Sequence, residues 1–90
     1  MKTATQTSLS VGGFAGPAQH FALSEPLCGN SHVIVWTQDA FGQQAAEAVI
    51  VAARPDGSAI TMTRLPGSYV HPDPSVDAAL ELAGYQVVRE

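Results

Sequence analysis

Ninety residues with a formal net charge of −4 make one domain, 1–90, and leave no room for a second. Hydrophobic residues reach 46%, too many for a disordered chain, while charged residues stop at 13%, against a usual ~25%. Much of the surface must then be Thr, Ser, Gln, Gly and Ala, a composition that favours contact with a partner or with a second copy. The basic residues Lys2, Arg54, Arg64 and Arg89 are scattered, and phosphate binding needs them clustered, so direct nucleic-acid binding is not expected.

Residues 3–11 alternate, with Thr3, Thr5, Thr7, Leu9 and Val11 on one side, and their low apolar content predicts an edge strand. Gly12-Gly13-Phe14-Ala15-Gly16-Pro17 reads as a turn region. A short strand is expected over 19–24 with Phe21 and Leu23 inward, followed by loop at Glu25-Pro26 and at 28–31. Residues 32–38, with the β-branched run Val33-Ile34-Val35 and Trp36, predict a half-buried strand. The stretch 39–44 reads as a hairpin connection, and 45–53 as a central strand that is apolar on both faces. A helix is the rival for 45–53, but Val49-Ile50-Val51 and the turn after it favour the strand.

That turn, Arg54-Pro55-Asp56-Gly57, has its own mechanism. Pro55 presets φ, Asp56 suits the second central position, and Gly57 accepts the left-handed conformation of a G1 bulge. The geometry pairs Arg54 with Ser58, Ala52 with Ile60 and Ile50 with Met62, and extends a second strand to Leu65. Ile50, Ala52, Ile60 and Met62 would face the helix, with Val49, Val51, Thr61 and Thr63 opposite. The helix is expected over about 73–83, with Asp73 as N-cap and Pro74 in the first turn. Val76, Ala79, Leu80 and Ala83 form its buried stripe, and Gly84 with Tyr85 forms a Schellman stop. Residues 85–89 resume as a final strand. The fold class is therefore α+β: an antiparallel sheet of four to five strands with one C-terminal helix packed on one face.

No motif carries chemistry. Cys28 and His32 stand in a C-x3-H spacing with His20 upstream, but no catalytic signature matches, and the plain reading is a semi-buried thiol and a His at a strand start. Cys28, His20, His32, His71, Asp39 and Asp73 supply metal-ligand types without the close ligand pairs of structural zinc. The glycines of GGFAG do not follow a dinucleotide pattern, and no Gly-Lys-Ser/Thr occurs. No metal and no cofactor is expected. The lone Cys28 excludes an internal disulfide, residues 1–10 lack a signal-peptide core, and 45–53 is too short to cross a bilayer and holds Glu47, so a cytoplasmic chain is expected.

Two surface features remain. Asp73, Asp77 and Glu81 recur every fourth residue and would share one side of the helix, either as a solvated face or as a ridge for a basic partner groove. Phe41, with Asp39 beside it in the 39–44 connection, is a loop-tip aromatic that could anchor an interface, whereas Phe14 is expected to fold back on the core. The expectation is a small non-catalytic protein-binding module, an inhibitor or modulator that occupies a surface of a larger protein or nucleoprotein complex. Small phage and plasmid inhibitors, anti-CRISPR proteins included, share this profile, although no residue motif ties the chain to them. The alternatives are a homo-oligomeric accessory protein and, last, a small enzyme using Cys28 with a His. A homodimer is expected because one helix covers one face of the sheet and leaves Val49 and Val51 without cover.

Overall fold

The structure, a computed structural model, describes residues 2–7, 18–61 and 63–89. Its elements in chain order are β1 (Thr3–Gln6), β2 (Ala18–Leu27), β3 (Asn30–Gln38), β4 (Glu47–Ala53), β5 (Tyr69–Val70), α1 (Val76–Leu82) and β6 (Gln86–Val88). They form an α+β fold: one curled sheet in the order β5-β4-β3-β2-β1-β6, with the helix on one face. The sheet has six strands rather than four or five, and it is mixed, because β1 and β6 run parallel. The expectations at Leu9, Val11, 12–17, Phe14 and Met62 lie outside the described residues.

Long β2–β3 and β3–β4 hairpins form the centre, where β-branched residues alternate across the pleat. Phe21, Leu23, Val33, Val35, Ala48 and Ile50 face the helix and bury Ala79, Leu80 and Tyr85 against them. Ile34, Trp36, Val49, Val51 and Ala53 form a second cluster on the opposite face, with Ala18 and Ala59 packed on it. Val49 and Val51 are 2% and 0% exposed in a single chain, so the apolar patch from which a homodimer was expected is not open.

Several local expectations need correction. β1 is not an edge, because β6 pairs with it on the side away from β2, a contact between the two ends of the chain that no local pattern announces. The segment expected as loop is a tight hairpin: Cys28 (φ 50) and Gly29 (φ 84) make the two-residue turn between Leu27 and Asn30. Asn30 Nδ2 donates to the carbonyls of Leu27 and Cys28, and an irregularity between Ala22 and Leu27 accommodates Pro26, which has no N–H for a ladder.

The 54–57 turn forms as its residues predict. Gly57 N–H donates to Arg54 O, Arg54 N–H to Ser58 O, and Ile60 N–H to Ala52 O, with Gly57 at φ 95. The second strand does not continue. The carbonyl of Ile50 receives the N–H of Leu65, and Thr63 N–H turns to Thr61 Oγ1 instead of a ladder partner. Ile60 is 50% exposed and Thr61 and Thr63 lie in solvent, so none of them serves the face expected for it. β5 takes the place beside β4, pairing Val70 with Glu47 and Tyr69 with Ala48.

The helix starts at Val76 with Ser75 as its N-cap; the Ser75 side chain accepts from Ala78 N–H, and Ser75 is extended at φ −132, ψ 135. Asp73 is not the cap. Its N–H donates to His71 Nδ1, and Ser75 N–H donates to the Tyr69 hydroxyl, which holds the chain off the helix until Val76. The stop is the expected Schellman motif: Tyr85 N–H donates to Leu80 O and Gly84 N–H to Glu81 O.

Candidate functional site

The β3–β4 connection ends in a turn that is closed twice. Phe41 N–H donates to Gln44 O at 3.0 Å and Gln44 N–H to Phe41 O at 2.9 Å, around Gly42 at φ 59. This fixes the backbone under Phe41, whose side chain is 83% exposed. An aromatic that projects into water from a fixed turn offers a large apolar surface with only two torsions left to order. Asp39 stands beside it on the same small concavity, with Gln38, Ala40 and Gln44.

Next to this tip, across Gln38 and Gln44, lies a groove lined by Trp36, Ala45, Glu47, Arg64 and Val70. Arg64 forms an ion pair with Glu47, and Gln38 Nε2 also donates to Glu47 Oε1. Val70 is 63% exposed and carries the groove onto edge strand β5.

On the other face of β5, Tyr69 and His71 lie with Asp73, Ser75, Ala78, Glu81 and Leu82 along a second groove. Leu82, 65% exposed, sits off the buried helical stripe. The expected acidic ridge is divided here. Asp73 precedes the helix, Asp77 pairs with Arg89 at 2.6 Å, and Glu81 separates this groove from a neighbouring one that holds Lys2, Asp77 and Tyr85. Phe41 and Asp39 are brought together; Asp73 and Glu81 share a groove; Asp77 is tied to the chain's own end.

The distribution of charge follows from these pairings. Lys2 Nζ lies 4.8 Å from the centre of the Tyr85 ring, Arg54 reaches Ala59 O, Arg64 holds Glu47 and Arg89 holds Asp77. Asp56 accepts from both Ser58 Oγ and Ser58 N–H, which together hold its carboxyl below the usual range. The carboxylates of Glu25, Asp39, Asp73 and Glu81 make no hydrogen bond or ion pair among the described residues. The accessible surface is therefore acidic in places where the basic side chains are already engaged.

The histidines and the thiol do not converge. His20 is 1% exposed, with Nδ1 2.7 Å from Thr7 Oγ1 and Nε2 donating to Arg54 O at 2.9 Å, so it ties β1 and β2 to the end of β4. Its ring stacks on His32 at 5.4 Å, and His32 Nδ1 bonds Ser31 Oγ. Cys28 is exposed in its turn rather than semi-buried, and its thiol makes no hydrogen bond to a His among the described residues. No group of three metal-ligand side chains occurs among the described residues. No described helix is long and apolar enough to cross a membrane.

Comparison with protein-family models, with curated proteins and with solved structures finds no match to this chain. Sequence reasoning passed over Tyr69, Val70 and Leu82, and weighed His71 only as a metal-ligand type. Leu82 was accessible to it, since an apolar residue outside the 76, 79, 80, 83 stripe must point away from the core.

Proposed function

We propose that this chain is a non-catalytic protein-binding module that acts in the cytoplasm as an inhibitor or modulator, occupying a surface of a larger protein or nucleoprotein complex. The observation that carries this reading is Phe41, 83% exposed on a turn closed by two reciprocal backbone hydrogen bonds. Burying a side chain of this size is worth about 1.5–3 kcal/mol, and the fixed turn keeps the ordering cost low. The contact surface runs from Phe41 and Asp39 to Val70 on β5, and on to Asp73 and Glu81, with Asp77 at its rim.

The partner's face has an apolar socket for Phe41 and basic residues opposite the carboxylates. Arg64 and Glu47 neutralise each other within the surface, so the net field there comes from the unpaired acids.

The test compares capture from lysate of the native host by the wild-type chain, by Phe41→Asp and by Asp39→Lys, each read by quantitative mass spectrometry. A protein retained by the wild type and lost on both variants, with circular dichroism unchanged, supports the reading. Equal recovery on all three would refute the Phe41 surface.

A further inference from the structure

We propose that the groove between β5 and α1 is a docking site for an arginine side chain of a partner protein. This rests on the reading of the chain as a protein-binding module and names the chemistry that one part of its surface recognises. One wall is aromatic: the Tyr69 and His71 rings lie 6.0 Å apart between centroids, tilted by 54°. The other is aliphatic, from Ala78 and the 65%-exposed Leu82.

Both rings are held by backbone donors, Tyr69 Oη by Ser75 N–H at 2.9 Å and His71 Nδ1 by Asp73 N–H at 2.9 Å. The aromatic wall is thus set in advance of any ligand. The carboxylates of Asp73 and Glu81 line the same groove with no hydrogen bond or ion pair among the described residues, and no Lys or Arg lines it.

An apolar cleft with two unpaired carboxylates and no cation calls for a positively charged occupant with an apolar stem. The chain does not supply one. Lys2 occupies the neighbouring groove over Tyr85, and Arg54, Arg64 and Arg89 are engaged elsewhere. Arginine answers better than lysine. Its planar fork meets carboxylates with paired hydrogen bonds, its face stacks on aromatic rings, and its three methylenes lie along an aliphatic wall.

The probe is the peptide acetyl-Gly-Arg-Gly-amide, titrated into the isotope-labelled full chain and followed by amide chemical shifts. The controls are the same peptide with citrulline, which keeps the shape and removes the charge, and with lysine. The expected result is a saturable shift confined to residues 69–82, roughly tenfold weaker for citrulline and for the Asp73→Asn, Glu81→Gln double variant. Both residues are exposed, so the remaining spectrum of the double variant reports that the fold is kept. No shift at millimolar peptide, equal affinity for citrulline, or binding that survives the double substitution overturns the proposal. Equal or tighter binding of lysine overturns the arginine assignment. The titration needs no partner and does not involve Phe41, so its failure leaves the capture result standing, and a failed capture leaves the titration readable.

Discussion

Gly67 is the position where a single atom has least room. At φ 103 it lies under the helix, and an added Cβ would meet Ala79 O at 2.7 Å, Ala83 Cβ at 2.8 Å and Ile50 Cδ1 at 2.8 Å. The first of these is helix backbone and cannot swing aside. Gly67→Ala therefore combines left-handed strain with overpacking, and a loss of ~2–4 kcal/mol in urea unfolding is expected. A change below about 0.5 kcal/mol would contradict this packing of the 66–68 loop on α1. Tyr85 makes a different prediction. It is 2% exposed, and its hydroxyl donates to Glu25 O at 2.7 Å. Burial, with smaller contributions from Glu25 and Cys28, raises its pKa above the ordinary 10.0. The unfolded chain then loses the phenolic proton before the folded one. The stabilisation is complete below pH 10.0 and is lost as the pH rises from there through the folded-state pKa. Urea midpoints between pH 9 and 11 should fall for the wild type and fall less for Tyr85→Phe.

At the scale of elements, the 54–57 turn and the helix stop were readable because each depends on residues next to one another. Pro55, Asp56 and Gly57 specify a bulge whose three backbone bonds all form, and Gly84-Tyr85 specifies a Schellman pair that also forms. Gly57→Val places a β-branched residue at φ 95, and a cost of about 1–2 kcal/mol is expected, or roughly 4–8 °C in Tm for each kcal/mol. An unchanged Tm would refute the bulge. The helix start was misplaced because Asp73 and Ser75 are both good caps. The Ser75 hydroxyl takes the Ala78 N–H and makes the cap, while His71 Nδ1 and Tyr69 Oη take the N–H groups of Asp73 and Ser75. The strand expected over 58–65 failed for a similar reason. Thr61 can hold the N–H of Thr63 locally, and β4 finds its partner in Tyr69–Val70 instead. For the candidate site, the same division holds. Phe41 and Asp39 stood out as a loop pair, whereas the regular spacing of Asp73, Asp77 and Glu81 suggested a ridge that Arg89 and the late helix start break up.

For the whole molecule, the decisive feature is that both faces of the sheet are buried in one chain. Ile34, Val49 and Val51 are 0–2% exposed on the face away from the helix. Self-association through that face requires it to be open, and its burial removes the drive. The expected result is a single-chain mass by light scattering at high micromolar concentration in the absence of partner; a two-chain mass would show that another surface, with Phe41 its foremost candidate, binds a second copy. Adjacent patterns in the sequence determined the α+β class, the two long central strands, the 54–57 bulge and the buried helical stripe, since period, turn chemistry and capping act over a few residues. The six-strand order, the parallel β1–β6 pair and the meeting of Tyr69, His71, Asp73 and Glu81 were decided by tertiary structure alone. They join residues far apart in the chain, or they depend on which of two equally suitable local partners the packed neighbours leave free.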